Sequence, residues 1–453
     1  MKFIGLMKSN KILSLTLLFT FICMTAPQLA WSTKHHGRIT LGSFASKETF
    51  TDNIDQTERN DFATTSTRMF LDVSEMGKSN YQLVMDLRDK HDFFDKLDRE
   101  KKELQDSNTF QVRQLYVHQP KLFEKMFYRL GRFAVSKAGA IFTDGLEVGF
   151  QPSSSWDLAL FGGLNPKRPD QTYLQSNPDS SVYGLYLNYQ PEGRSWQRFF
   201  YVTTAYVTQT FKSEVDRQYL YQNLVYQWSS QNRIYTLLYL DFVPRTYVQI
   251  GHASLQKTLG KNIDANFRIS TFDVIEYKRR QDLRETLEPS PYKENRLSMR
   301  LKLRPTLQLK ASYRQGERAA DNLQRRVSTV GLHMPRLFSK RIDGSISAGS
   351  RYDFTKEGQF SRADIGYFSS KWELSFDIES ATESLQDGTK LRPLIIGLNI
   401  SRQISQKLFA AFSYQNAKDE TVNITSMFFK VAYRFGNKEI SPLRDGASPR
   451  GRL

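Results

Sequence analysis

Apolar and polar residues alternate one by one along much of this chain. Residues 427–435 (MFFKVAYRF) show the pattern most clearly, because every second position is apolar and only Phe428 departs from the rule. The apolar set is Met427, Phe429, Val431, Tyr433 and Phe435. A period of two predicts a β-strand with one apolar face and one polar face. Such a strand fits a half-buried soluble sheet, or a transmembrane barrel whose two faces meet lipid and a watery lumen.

The same alternation recurs from end to end. It is found in residues 69–73, 81–87, 183–189, 297–303, 307–313, 363–367, 372–378, 394–400 and 408–414. With flanking positions included, several of these faces stay apolar for about eight to ten residues, close to the ~9 to 11 that a tilted transmembrane strand needs. Helical periodicity is found only in residues 92–104, which we place in a loop.

The connections between these strands alternate in length. Short ones fall at 75–80, 152–155, 191–195, 229–232, 305–306 and 369–371, and long ones at 90–108, 164–180, 279–293, 315–325 and 381–391. Short turns at one end and long loops at the other are typical of outer-membrane barrels. Residues 243–246 and 354–358 break the alternation, and residues 120–145 are the least regular. We predict an all-β fold, a closed antiparallel transmembrane β-barrel of about 18 to 22 strands.

The N-terminus has the pattern of a secretory signal peptide. Three lysines precede an apolar run at 12–26, and residues 30–32 (AWS) fit a small-x-small cleavage site. The run is shorter than the ~20 residues of a spanning helix. The only cysteine, Cys23, lies inside it and follows Ile22, where a lipidation site would need a small residue. We therefore assign residues 1–32 to a signal peptide, and predict a mature chain without disulfides.

Composition favours a membrane barrel with an anionic partner. The mean hydropathy is −0.52 although 13% of the residues are aromatic, as expected when apolar residues are spread one in two along many strands. The formal net charge is +17. That charge suggests lipopolysaccharide, phospholipid headgroups or an anionic solute as partners. Nucleic acid is not expected, because the chain is exported and carries no nucleic-acid-binding motif.

The signal peptide, the two-faced strands and the final strand ending on Phe435 together resemble the Gram-negative outer-membrane β-barrel superfamily, porin-like or polymer-export-like. The resemblance implies residence in the bacterial outer membrane, in contact with outer-membrane lipid and lipopolysaccharide. It also implies that Phe435 is the terminal aromatic signal read by the barrel-assembly machinery. The barrel would span residues 33–435. Residues 436–453, rich in glycine, proline and charge, depart from the usual ending and are predicted to be a disordered tail.

A weaker likeness lies in residues 130–150 (LGRFAVSKAGAIFTDGLEVGF). A Gly-Arg strand followed by Asp-Gly and a second strand is similar to a segment of porin-like and polymer-export-like barrels. Asp144-Gly145 is also a favourable hairpin turn in its own right.

If apolar positions face lipid, the intervening charged residues face the lumen. The pore-lining candidates are Arg300, Lys302, Arg304, Lys310, Arg314, Arg362, Lys430 and Arg434. The first five lie on two neighbouring strands, and basic side chains in a pore favour anions. Alternatively, these bases pair with acids elsewhere and only pack the wall. The candidate partners are an acidic group two or three strands away that would face these bases across a narrowed lumen: Asp364, Glu373, Asp377 and Glu379.

Enzymatic signals are weak. None of the six histidines has metal-ligand spacing and no G-x-S-x-G elbow occurs, so we predict no catalytic residue, metal or cofactor. A hydrolase built from strand rims would show no linear motif, and His118 and His252 would be its candidate residues.

Two functions therefore remain. One is an outer-membrane pore that passes small hydrophilic solutes, anions in particular, or an anionic polymer by diffusion, as a monomer or a homo-oligomer. The other is a non-conducting surface barrel that acts as an adhesin or structural protein through loops 164–180 and 279–293. Five residues separate Ser32 from Arg38, too few for a plug domain before the first strand.

Overall fold

The computed structural model describes residues 34–51, 57–76, 80–95, 108–166, 176–192, 198–273, 275, 277–278, 292–319 and 321–436. The predicted signal peptide, residues 437–453 of the predicted tail and the centres of the longest predicted loops lie outside these ranges. The strands are β1 (Lys34–Thr51), β2 (Thr57–Met76), β3 (Tyr81–Asp95), β4 (Asn108–Leu122), β5 (Met126–Val135), β6 (Ile141–Ser153), β7 (Trp156–Pro166), β8 (Ser176–Tyr189), β9 (Phe199–Phe211), β10 (Glu214–Ser229), β11 (Asn232–Val243), β12 (Tyr247–Leu259), β13 (Ile263–Phe272), β14 (Tyr292–Arg304), β15 (Leu307–Arg318), β16 (Gln324–Met334), β17 (Ile342–Asp353), β18 (Lys356–Phe368), β19 (Trp372–Leu385), β20 (Lys390–Leu391), β21 (Leu394–Gln403), β22 (Leu408–Lys418) and β23 (Val422–Gly436).

These strands form one closed antiparallel barrel. The sheet has 23 strands, but β20 has two residues and pairs only with the end of β19, which continues around the barrel to β21. The wall therefore has 22 strands, and β1 pairs with β23 to close it. This confirms the predicted fold class, at the upper end of the predicted strand number. No helix in the described part of the chain has the length and apolarity of a membrane span.

The outer face of the wall is apolar, as the period-two pattern predicts. On β14, Leu297 is 44% exposed and Leu303 is 51% exposed, while the alternate residues, such as Arg300, point into the lumen. A chain of ring contacts from Trp156 through Tyr189 and Phe200 to Tyr226 runs across the outer wall. Aromatic girdles at the edge of an apolar band mark the membrane interface of such barrels. An exposed apolar surface of this extent is a lipid-facing surface.

The two ends of the barrel differ less in loop length than predicted. We call the end where β1 begins and β23 ends the terminal end, because His36 pairs with Gly436 there, and the opposite end the loop end. The terminal end carries most of the short turns, but also the connections 190–198 and 335–341. The loop end includes two-residue turns at 212–213 and 354–355. Loop parity therefore indicated the right fold although several individual connections break it.

The hairpin of β5 and β6 departs from the predicted turn. Asp144-Gly145, expected as a candidate turn, lies inside β6, where Asp144 pairs with Arg132 and Gly145 with Gly131. The chain instead reverses at 136–140, through a single 3-10 turn at Ser136–Ala138 that ends on Gly139 with φ +80°. Gly145 lies in the ladder because its neighbour on β7, Gly163, approaches so closely that a Cβ at position 145 would lie 2.6 Å from the Gly163 Cα.

The closing seam between β1 and β23 depends on Phe435. Its ring covers Gly37, the residue directly opposite on β1, so that a Cβ on Gly37 would lie 2.3 Å from the ring. Aromatic rings that cover a strand glycine hold the register of neighbouring strands. The final aromatic residue therefore has a structural role in the seam.

We predict that Phe435→Ala destabilises the barrel by about 1 kcal/mol more than Phe429→Ala does. Both rings lie on the lipid face of β23, so both substitutions remove a similar apolar surface, but Phe429 lies opposite Ser43 and covers no glycine. Urea unfolding in liposomes measures the difference. Equal losses of stability would show that the Phe435 ring adds nothing to the seam.

Candidate pore and its charged wall

One side of the lumen is filled by the tip of the β5–β6 hairpin. Ala138 and Phe133 have no exposed surface, and the tip packs against the inner faces of β7–β10 in an apolar cluster. Tyr219 on β10 donates a hydrogen bond to the Ala138 carbonyl (3.1 Å), and Tyr239 on β11 donates one to the Gly139 carbonyl (3.2 Å). The hairpin tip has therefore left the wall and lies inside the barrel.

Polar side chains beneath this cluster are satisfied by one another. Arg129 bonds Glu147 at 2.9 Å, and the hydroxyl of Tyr186 donates to the other oxygen of the same carboxylate at 2.6 Å. Lys137 in the hairpin turn bonds Asp157 on β7 at 2.5 Å. Buried polar groups need such partners, because an unpaired charge away from water is costly.

The strongest of these buried contacts joins β10 to β11. Arg217 donates to both oxygens of Asp241, at 2.8 and 3.0 Å, and lies over the Tyr219 ring. Asp241 has no exposed surface. The β5–β11 side of the lumen is consequently a packed core, and any open path runs along the remaining strands.

Two of the predicted basic residues on β14, Arg300 and Lys302, lie on the inward face, and both are paired. Asp264 on the neighbouring β13 lies opposite Arg300 and accepts hydrogen bonds from Arg300 at 2.5 Å, with Lys302 at 3.2 Å. Arg304 ends the strand at the terminal end. The sequence pattern alone did not place β13, and with it Asp264, next to these bases.

The other candidates are distributed around the wall. On β15, Arg314 contacts Glu294 of β14 at 3.2 Å, and Lys310 lies opposite Arg300. Arg362 on β18 contacts Asp377 of β19 at 3.7 Å. On β23, Lys430 lies opposite Gly42 and Arg434 opposite Arg38.

Three of the four expected acidic partners contact side chains of β17 and β18, among them the candidate Arg362. Asp377 contacts Arg362, Glu379 accepts from Arg351 of β17 at 2.9 Å, and Asp364 accepts from the Ser345 hydroxyl. Glu373 lies opposite Phe368. These acids belong to the β17–β19 wall, whereas Asp264 and Glu294 neutralise the bases of β14 and β15.

The structure also reveals a row of arginines that the sequence reasoning missed. Arg268, Arg296 and Arg314 lie directly opposite one another on β13, β14 and β15, all facing the lumen. Within the described residues, neither Arg268 nor Arg296 makes an ion pair. Arg296 is two positions before Ser298, the first inward position of the pattern at 297–303, so continuing the alternation by one step would have included it. Arg268 could have been predicted to face the lumen only if residues 263–272 had been recognised as a strand.

The two histidines considered for catalysis are far apart. His118 on β4 bonds Gln82 at 3.2 Å and meets the edge of the Phe127 ring, whereas His252 on β12 packs against Tyr235. Seven strands, β5 to β11, lie between β4 and β12 along one side of the wall. In the ranges that the structure describes, no group of histidine, cysteine or acidic residues has the arrangement of a metal site.

No protein-family model matches the chain, and no curated protein is similar to it in sequence. Solved structures with a related shape include OccAB4 of Acinetobacter baumannii, at 9% identity and a TM-score of 0.43 over 90% of this chain and 99% of that one. A BenF-like porin from Pseudomonas fluorescens Pf-5 shows 8% identity and a TM-score of 0.43, covering 89% and 99%. The P pilus usher (PapC) translocation pore shows 8% and 0.40, covering 89% and 100%. Similarity this distant carries no functional argument, and the barrel is established by its own strand pairing.

We predict that Asp241→Asn destabilises the barrel by about 3 to 5 kcal/mol, because it leaves Arg217 buried without a counter-charge. Asp377→Asn is the matched control, since the side chain of its partner Arg362 is 45% exposed and such a pair contributes about 0 to 1 kcal/mol. Denaturant unfolding in liposomes compares the two variants. A loss below about 1 kcal/mol for Asp241→Asn would contradict a packed core on the β5–β11 side.

Proposed function

We propose that the protein is an outer-membrane pore that passes small hydrophilic anions by diffusion. The observation that carries the proposal is the arginine row of Arg268, Arg296 and Arg314 on the lumenal face of a closed, lipid-facing barrel. The anionic solute, the outer-membrane lipid and lipopolysaccharide around the wall, and assembly through Phe435 are parts of this proposal.

The size of the barrel supports a path for solutes. Barrels of 16 or more strands enclose an aqueous channel unless a plug fills them. The β5–β6 turn enters the lumen and packs against one side of the barrel wall, which leaves the opposite side uncovered by any other turn that the structure describes. The β12–β23 side and the first strands keep inward faces rich in charged and hydroxyl side chains.

The arginine row supports preference for anions. Like charges directly opposite each other on neighbouring strands destabilise a sheet. The row is tolerable only where water or an anion reaches it, and guanidinium groups match the geometry of carboxylate and phosphate. The paired bases Arg300 and Lys302 contribute less, because Asp264 cancels part of their field.

We expect the variant with Arg268, Arg296 and Arg314 all changed to Gln to lose several-fold in its anion-over-cation permeability ratio. The substitutions remove three positive charges that acids do not fully neutralise, and all three lie at the same height along the barrel axis. Reversal potentials in a salt gradient across planar bilayers measure this ratio, and the difference between variant and wild type should shrink at 1 M salt, where the screening length falls to about 3 Å.

Two control variants sharpen the measurement. Changing Lys340, Arg341 and Lys371 to Gln removes the same charge from exposed turns at the terminal end and should leave the ratio nearly unchanged. Changing Arg300 and Lys302 to Gln should have a smaller effect per charge than the arginine row. Equal selectivity in all variants would refute the anion path, and a barrel closed at every voltage would favour the non-conducting surface barrel instead.

A further inference from the structure

Two arginines of the lumenal row lack an acid of their own. Arg268 and Arg296 lie directly opposite each other on β13 and β14 and point into the lumen. The third arginine of the row, Arg314, contacts Glu294 at 3.2 Å. Neither Arg268 nor Arg296 makes an ion pair with any residue that the structure describes. The row therefore consists of one arginine with an acidic partner and one pair that is open to an anion.

The acid nearest to this pair along β14 is already engaged. Glu294 lies two positions before Arg296. One of its oxygens contacts Arg314, and the other accepts a hydrogen bond from the Tyr292 hydroxyl at 3.1 Å. Four other inward neighbours of the two arginines carry hydroxyl or amide donors: Ser254, Asn266, Ser270 and Ser298. At these described positions around it, the pair therefore faces no free carboxylate.

The two side chains lie close enough together to hold a single anion. Residues directly opposite each other on antiparallel strands have Cβ atoms about 5 Å apart. Each arginine ends in a rigid planar fork of N–H donors. Arg268 is exposed to the lumen and Arg296 is half-buried beside it, so that both forks can turn toward one ligand on the lumenal side.

The pair presents two charges and two donor forks at one place. A carboxylate has two oxygens and one charge, which a single guanidinium group satisfies. A phosphate group carries about −1.5 to −2 charges at pH 7 and has three strong acceptor oxygens. Of these two anions, the phosphate group is the one that can neutralise both arginines. A flanking hydroxyl, that of Ser254 or Ser298, lies beside the pair as a further donor.

We propose that Arg268 and Arg296 together bind one dianionic phosphate group, either inorganic phosphate or the phosphate monoester of a small solute. Such solutes are then the anions that the pore selects. This inference rests on the proposed function for their passage through the lumen, whereas binding at the arginine pair does not depend on it.

Equilibrium binding tests the site without a current. Methyl phosphate, which carries about two negative charges at pH 8, is added at low salt to the protein in nanodiscs, and binding is read as broadening of its phosphorus NMR line. Methyl sulfate has a similar shape and one charge fewer, and acetate is a planar monoanion. We expect both to displace methyl phosphate only at several-fold higher concentration than inorganic phosphate requires. If inorganic phosphate fails to compete while methyl phosphate binds, the ligand is a monoester.

A double-mutant cycle tests whether both arginines hold the same anion. Arg268→Gln and Arg296→Gln should each weaken methyl phosphate binding several-fold, and the double variant should lose less than the sum of the two single losses in binding free energy. All three variants should fold, because they relieve repulsion between like charges. Arg326→Gln removes an arginine from the outer face of β16, which it shares with the exposed Val330, and should leave binding unchanged. Losses that add fully would overturn the shared site.

Lysine variants separate this site from the general anion preference of the pore. Arg268→Lys combined with Arg296→Lys keeps both charges and removes both planar forks. We expect a nearly unchanged anion-over-cation permeability ratio and a several-fold loss of methyl phosphate affinity. Equal affinity of the wild type for methyl phosphate, methyl sulfate and acetate would overturn the phosphate site even where the pore selects anions. A barrel that carries no current would refute the pore, while the NMR titration still decides the site.

Discussion

Every backbone N–H and C=O of a membrane-spanning strand must find a partner in the protein, because hydrocarbon offers none. That constraint requires the sheet to close, which it does through the β1–β23 ladder from His36 to Phe50. It also fixes the register of neighbouring strands, because a slip by one residue would turn every lipid-facing side chain of a strand into the lumen. Phe435 covers Gly37 near the terminal end of this closing ladder, where its ring helps to fix the register.

The β5–β6 hairpin shows what happens where the constraint is relaxed. By turning inward, the hairpin exchanges ladder hydrogen bonds with β4 and β7 for an apolar core against β7–β10 and two tyrosine hydrogen bonds to its tip. The backbone left behind on β4 is partly satisfied by Arg132, which in turn needs Asp144 as its counter-charge. The filled lumen on one side and the absence of a β5 ladder partner for residues 108–114 of β4, among the described residues, are therefore two consequences of one local rearrangement.

Sequence periodicity predicted the barrel because period two is a local property that every strand repeats. Side-chain direction on β14 and β15 followed from it directly, as Arg300 and Lys310 show. What lay beyond the sequence was the pairing across strands: Asp264 is 36 positions from Arg300, and only the register of β13 against β14 brings them together. The inward hairpin was also hidden, because Asp144-Gly145 has the residues of a turn, while the close approach of Gly163 that keeps it in the ladder is a tertiary contact.

For the lumenal charges too, the sequence pattern gives the direction of each side chain, whereas its ion-pair partner depends on the neighbouring strand. A base that faces an acid on the next strand, such as Arg351 between Glu379 and Glu383, holds the wall together and contributes little field at a distance. Arg268, Arg296 and Arg314 face one another, with Glu294 held by Arg314, so the field of this row extends into the lumen. Both kinds of arginine occupy identical positions in the period-two pattern. Which of them can attract a solute is decided by strand register, and the electrostatics of this pore is consequently a property of the closed barrel and not of any single strand.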